Sequence, residues 1–282
     1  MKEISINLEL DSIDEIKAKL FPLIKDYQHF VPVLTAGTYV YRASSYKSLK
    51  HFRISDISYR KPSEVGEQRA NRKGHPVFYT SLQKNSPFFE VRPEIGSCLV
   101  ISKWKLNHAP KINKIGYRPE SLKKIGRISE LKNWQIITAP REPVEISDFF
   151  ANTYLISTEQ VPNIYKLSIS ITELFLKDGL DGLIYPSVAA NGNFDNIVFN
   201  TDFTDEHIKF VDAEYVKITD IENDDNNLQI NYSLLDVAEG IDQHGFLNWK
   251  KDNCILSSVN SNQIMKKYRD IDGNVKVIFE DC

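Results

Sequence analysis

The sequence predicts an α+β fold on three observations. Helical repeats and strand-like runs follow one another without the regular alternation of a doubly wound sheet. The strand-like runs are short and rich in aromatic and β-branched residues. The composition over 282 residues, 41% hydrophobic and 26% charged, is that of an ordinary globular chain able to bury a core without disulfides or metal.

The elements follow in order. Glu3–Leu10 (EISINLEL) alternates as a strand does, and Ser12 with Glu15 has the spacing of a helix capping box. Ile13, Ile16, Leu20, Leu23 and Ile24 then recur at helical spacing, across Pro22. Thr38–Ala43 reads as a strand, and Ser44–Lys73 as mostly loop. Pro76–Ser81 is a second strand, and Ser86-Pro87 opens a short helix carrying Phe88, Phe89 and Glu90. Ser97–Leu106 and Trp134–Thr138 are further strands, and Ser147–Thr158 and Lys166–Lys177 are helices. The second of these helices ends at Asp178-Gly179, as a glycine C-cap predicts. Leu183–Pro186 and Asn196–Asn200 are short strands around a turn-rich AANGNFD loop, and the acidic C-terminal part ends in a hairpin across Asp272-Gly273. The chain thus divides into an N-terminal strand and helix extension (1–37), a central domain (38–204) and an acidic extension packed on the core (205–282).

Charge is uneven. Nine Lys or Arg stand against three acids from Arg42 to Lys73, and nine against two from Lys103 to Lys132, whereas Asp202–Asp225 holds nine acids against two lysines. The basic half suits an anionic ligand or an acidic partner, or is solvated surface that evens out in three dimensions. Cys98, Cys254 and Cys282 are too few and too scattered for a disulfide framework or a zinc site, and the six histidines show no HxH or HExxH spacing. Asn191–Asp202 imitates a calcium loop but has Asn196 where glycine belongs. With no apolar run of signal-peptide or membrane-span length, the expectation is a cytoplasmic protein with no metal and no membrane contact. The stretch from Lys103 to Lys132 interleaves Trp104 and Tyr117 with cations but lacks a nucleic-acid reader motif, so direct nucleic-acid binding is not expected.

Four segments concentrate polar residues in strand-like surroundings: Tyr41-Arg42, the run RANRKGHPVFYTS from Arg69 to Ser81, Phe89-Glu90, and Tyr185-Pro186-Ser187. Their order and the RxNxxGxPVxYTS spacing resemble the RES family, over roughly residues 38 to 200. The resemblance implies an ADP-ribosyltransferase-like core of two small, mainly antiparallel sheets flanked by helices, and an activity on NAD⁺. The dinucleotide would be a substrate and not a cofactor, since neither a Walker loop nor a GxGxxG is present.

Cleaving the nicotinamide–ribose bond passes through an oxocarbenium-like sugar. The resemblance assigns Glu90 to the ribose hydroxyls and the developing positive charge, and Arg42 to the phosphates or the nicotinamide ribose. Tyr79 would stack on nicotinamide, and Ser187 would bond its amide or orient Glu90. Arg69 is a second phosphate candidate, while Tyr41 and Asn196 line the pocket. Taken alone, each has a plainer explanation: Arg42 an edge-strand cation, Glu90 an acid favoured early in its helix, Tyr79 a core aromatic, Ser187 a turn residue. Gln68 and Ala70 depart from the family, whose members carry a glycine and a bulky aromatic there, so the loop's turn and one pocket wall differ.

The function implied is NAD⁺ degradation by a glycohydrolase or phosphorylase, as the toxin of a bacterial toxin–antitoxin pair. A helix-turn-helix antitoxin is the partner that the resemblance suggests. ADP-ribosyl transfer to a protein shares the first chemical step, and a non-catalytic dinucleotide-binding module is the third reading.

Overall fold

The computed structural model describes residues 4–24, 34–46, 52–115, 144–177, 179–189, 194–224, 227–250, 254–259, 263–269 and 275–281. In chain order the helices are α1 (Ile13–Ile24), α2 (Ile54–Ile57), α3 (Ser86–Glu90), α4 (Val144–Leu155), α5 (Ile164–Lys177) and α6 (Thr201–His207). The strands are β1 (Tyr39–Tyr46), β2 (Phe78–Ser81), β3 (Cys98–Leu106), β4 (Ile112–Lys114), β5 (Gly182–Pro186), β6 (Asp195–Phe199), β7 (Ile208–Asp224), β8 (Asn227–Ile241), β9 (Leu247–Trp249), β10 (Cys254–Val259), β11 (Gln263–Arg269) and β12 (Val275–Asp281). The fold is mixed α+β, and its elements fall into two compact units.

The first unit comprises Met1–Thr35, Tyr59–Tyr79 and His108–Glu206. Its core gathers Ile16, Leu20 and Ile24 from α1, Phe150 and Tyr154 from α4, Leu167, Ile171 and Phe175 from α5, and Leu183, Tyr185 and Val198 from β5 and β6. The helical spacing in α1 therefore buries the face the sequence marked. Its start is the expected capping box: the Ser12 N–H donates to Glu15 Oε2 (2.7 Å) and the Glu15 N–H to Ser12 Oγ (3.3 Å). α5 is followed by Gly179 at φ +85°, the left-handed residue a glycine C-cap supplies.

Among the described residues 4–10, the strand expected over Glu3–Leu10 does not form. Residues 4–7 are irregular and 8–10 form a turn. Asn7 Oδ1 accepts from the N–H groups of Glu9 (3.0 Å) and Leu10 (3.2 Å), and Asp11 Oδ2 accepts from the Asn7 N–H (2.7 Å). These local side-chain bonds satisfy the backbone that a strand would have paired elsewhere. Ile6 and Leu8 still pack on the core, so the apolar alternation served burial without a sheet.

β4 pairs parallel to β5, and β5 antiparallel to β6. Gly182 opens β5 opposite Phe199, and a Cβ there would press on the Val198 carbonyl oxygen and the Phe199 ring. Gly182→Ala is expected to destabilise the protein by about 1–3 kcal/mol through overpacking. A urea midpoint equal to that of the wild type would refute this.

The second unit comprises Ala36–Ser58, Thr80–Asn107 and His207–Cys282. Its strands run in the order β12-β11-β10-β8-β7-β3-β1-β2, with β9 also on β8, and the described pairings are antiparallel. The expectation of two small sheets is corrected here, because this one sheet is large. The physical reason is the β7–β8 hairpin, whose strands of 17 and 15 residues expose enough backbone to pair with β3 on one side and β10 on the other. β3 pairs with β7 from Cys98↔Lys217 to Leu106↔Ile208. The acidic C-terminal part is thus built into the sheet. Val216, Ile218, Tyr232 and Leu234 from it join Val40, Phe88, Leu99, Val100 and Trp104 among the unit's buried residues.

The strand expected at Trp134–Thr138, the hairpin turn at Asp272-Gly273 and the Asn191 and Asn193 positions of the loop lie outside the described residues. So do residues 116–132 of the basic stretch. Among the described residues, no helix is long and apolar enough to cross a membrane.

Candidate active site

Each unit carries part of the candidate set. Arg69, Tyr79, Ser187 and Asn196 belong to the first, and Tyr41, Arg42 and Glu90 to the second.

In the first unit the loop before β2 is tied to Tyr79. The Tyr79 hydroxyl donates to Asn71 Oδ1 (2.9 Å) and accepts from the Ala70 N–H (2.9 Å). Burial pushes the phenol well above its ordinary pKa, so it stays a neutral donor. Asn71 is itself buried and donates to the carbonyls of Gly66 (2.8 Å) and Arg72 (3.0 Å). The spacing from Arg69 to Ser81 is therefore that of a loop closed on its own following strand. Asn71 received no role from sequence alone, although it stands in the quoted spacing.

Arg69 has a task the sequence did not show. Its Nη1 donates to the carbonyls of Tyr154 (3.0 Å) and Ile156 (3.1 Å), at the C-terminal end of α4, where a cation meets the negative end of the helix dipole. The guanidinium also lies over the Tyr165 ring, 5.4 Å from its centroid. Tyr154 packs on Tyr185 of β5 at 5.1 Å between ring centroids. This aromatic contact backs the strand leading into Ser187, which is fully buried and whose N–H donates to the Phe194 carbonyl (2.8 Å). Asn196 lies opposite Tyr185 on β6 and is buried.

Arg72, also unassigned from sequence, holds the N-terminal segment. Its Nε and Nη2 donate to the Glu173 carboxylate of α5 (2.5 and 2.6 Å), and its Nη1 and Nη2 donate to Asp14 of α1 (3.2 and 2.9 Å). Lys17 adds a bond to Glu173 (2.6 Å). Burial by itself would raise the Glu173 carboxyl, but the bonds from Arg72 and Lys17 together leave it lowered. The Arg72 guanidinium holds the Asp14 carboxyl down to about 2. A depressed carboxylate stabilises the fold above its unfolded pKa, and that help is lost as pH falls through the folded value. Wild type is therefore expected to melt above Asp14→Asn at pH 6, with the gap closing between about pH 4 and about pH 2. An equal gap at both ends of that range would contradict the pairing.

In the second unit Tyr41 and Arg42 lie on β1, opposite Lys103 and Ser102 of β3, and Tyr41 also pairs with Ser81 of β2. Ser102 Oγ donates to the Arg42 carbonyl (3.2 Å) and accepts from Trp104 Nε1 (2.8 Å). α3 packs against β1. Phe88 and Phe89 are buried, while Glu90 is exposed. The Phe88 ring stacks on Tyr232 of β8, 4.9 Å between centroids. Glu90 is the last residue of α3, not an early one. The helix dipole disfavours a carboxylate there, which removes the plain explanation offered for it.

The comparison with family models matches the RES domain over residues 39–219. The chain belongs to the RES family. The matched region of this RES protein runs from β1 into β7, and contains every candidate residue above. No curated protein matches it. Among solved structures it is similar to a chain of the M. tuberculosis MbcT-MbcA toxin-antitoxin complex, with 9% identity and a TM-score of 0.34, covering 66% of this chain and 87% of that one. Among the described residues of this RES protein, no group of three or more His, Cys, Asp and Glu is arranged to hold a metal ion.

Proposed function

We propose that this RES protein cleaves the nicotinamide–ribose bond of NAD⁺. One observation carries the reading: α3, ending on exposed Glu90, packs against β1, the strand of Tyr41 and Arg42, within one unit. A carboxylate held at an unfavourable helix end beside an arginine strand suits a substrate with a cationic sugar and an anionic pyrophosphate.

In the proposed reaction the C–N bond breaks and its electron pair returns to the pyridine nitrogen, neutralising nicotinamide as it leaves. Glu90 stabilises the oxocarbenium left on the ribose. Arg42 clamps the phosphates or the ribose hydroxyls. Tyr79, its hydroxyl engaged with Ala70 and Asn71, is the ring that the family resemblance assigns to nicotinamide, and Ser187 the hydroxyl that it assigns to the carboxamide. Tyr41 and Asn196 keep the substrate-binding roles that the family resemblance assigns to them, and Arg69 shapes the loop through its bonds to α4. Water as acceptor yields ADP-ribose and a proton; phosphate yields the 1-phosphate ester; a protein side chain yields ADP-ribosylated product. The same reading extends to a growth-arresting toxin restrained by an antitoxin.

The test is chromatography of NAD⁺ incubated with purified protein, with and without phosphate. Nicotinamide release is expected, and the second product names the acceptor. NAD⁺ left intact over a wide range of protein concentration would overturn the reading.

A further inference from the structure

We propose that Arg92 binds the substrate's pyrophosphate beside Glu90, a proposal that rests on the NAD⁺ reading above. α3 ends with the Val91 N–H on the Pro87 carbonyl (3.3 Å) and the Arg92 N–H on the Phe89 carbonyl (3.3 Å). Arg92 then takes φ +44°. That left-handed region suits glycine, and Asn tolerates it, as Asn163 does here at φ +60°. Arginine has neither advantage. Pro93 follows, and a residue before proline is pushed towards extended backbone, so the conformation is disfavoured twice.

The surrounding turn holds it there. The Gly96 N–H donates to the Ile218 carbonyl of β7 (2.8 Å), the Ile218 N–H returns a bond to the Ser97 carbonyl (2.9 Å), and Ser97 Oγ donates to the Glu94 carbonyl (2.6 Å). An arginine kept at a strained position suggests a use for its side chain. That side chain is exposed, and makes no hydrogen bond or ion pair with another described residue. Glu90 and Glu94 stand two residues away on either side in sequence. An exposed cation with no bond to another described residue can take an external anion. In NAD⁺ the pyrophosphate hangs from the very ribose that Glu90 would serve, so residues two apart can meet both groups. The forked guanidinium suits a phosphate oxygen pair.

The experiment compares Arg92→Gly and Arg92→Lys with wild type, on NAD⁺ and on nicotinamide riboside, which has no phosphate. Arg92→Gly relieves the backbone, so its melting temperature should not fall below that of the wild type. Its KM for NAD⁺ should rise at least about tenfold, the loss of one charge-assisted hydrogen bond or more. Its kcat should change little, Arg92→Lys should recover part of the KM, and nicotinamide riboside should be cleaved as by wild type. An NAD⁺ KM within about twofold of wild type, or an equal loss on both substrates, would overturn the proposal. Wild type that releases no nicotinamide from NAD⁺ overturns the functional reading and this inference with it, before any variant is made.

Discussion

Glu90→Gln should release nicotinamide from NAD⁺ at least about 10²–10³-fold more slowly than wild type, while folding normally and binding the dinucleotide nearly as well. The size follows from what the proposed reaction would lose: a full negative charge opposite charge that develops only as the C–N bond breaks, where one such interaction is worth about that factor. Ground-state NAD⁺ presents Glu90 with hydroxyl groups, which an amide also bonds, so KM should move far less than kcat. The fold should tolerate the change because Glu90 is exposed while Phe88 and Phe89 carry the packing of α3. Removing a carboxylate from the negative end of a helix is mildly favourable in itself. Steady-state nicotinamide release beside calorimetric NAD⁺ binding makes the test. A variant as active as wild type would take Glu90 out of the chemistry, and one that no longer binds NAD⁺ would make it a binding residue only.

The second large effect is expected far from Glu90 in sequence. Tyr232→Ala should cost about 3–5 kcal/mol, the range for deleting a large aromatic from a closed core. Tyr232 has no solvent exposure and stacks on Phe88, two residues before Glu90. α3 spans only Ser86–Glu90 and is too short to persist without tertiary contacts. Losing its stacking partner should therefore loosen the Glu90 backbone as well as lower stability. The measurable signature is a reduced urea midpoint, with kcat still depressed under conditions where the variant is fully folded. Normal kcat in the folded variant would confine Tyr232 to stability. The result bears on the acidic C-terminal part, because Tyr232 lies outside the matched region, 39–219, yet contacts the helix of the candidate site.

Much of the local structure was legible from residues alone, because it depends on neighbours in the chain. Ser12 and Glu15 cap α1 because their side chains reach backbone three residues away. Gly179 follows α5 because few residues other than glycine take its φ without strain. Phe78–Ser81 and Cys98–Leu106 pair as strands where aromatic and β-branched residues cluster. The same kind of reading failed at Glu3–Leu10. Alternation records which side chains are buried, and the Asn7 and Asp11 side chains captured the backbone that a sheet needed.

Residue types and their spacing were enough for the α+β class, for most helices and short strands among the described residues, and for the family membership signalled by the arginine, glutamate and serine segments. Tertiary structure alone decided three matters. It extended the sheet through β7 and β8, because strand partners are chosen by backbone groups that no side chain announces. It committed Arg69 to the end of α4 and Arg72 to Asp14 and Glu173, partners 58 to 101 positions away along the chain. It left Arg92 strained and unpaired among the described residues, because backbone conformation and long-range pairing are set by how the chain closes on itself.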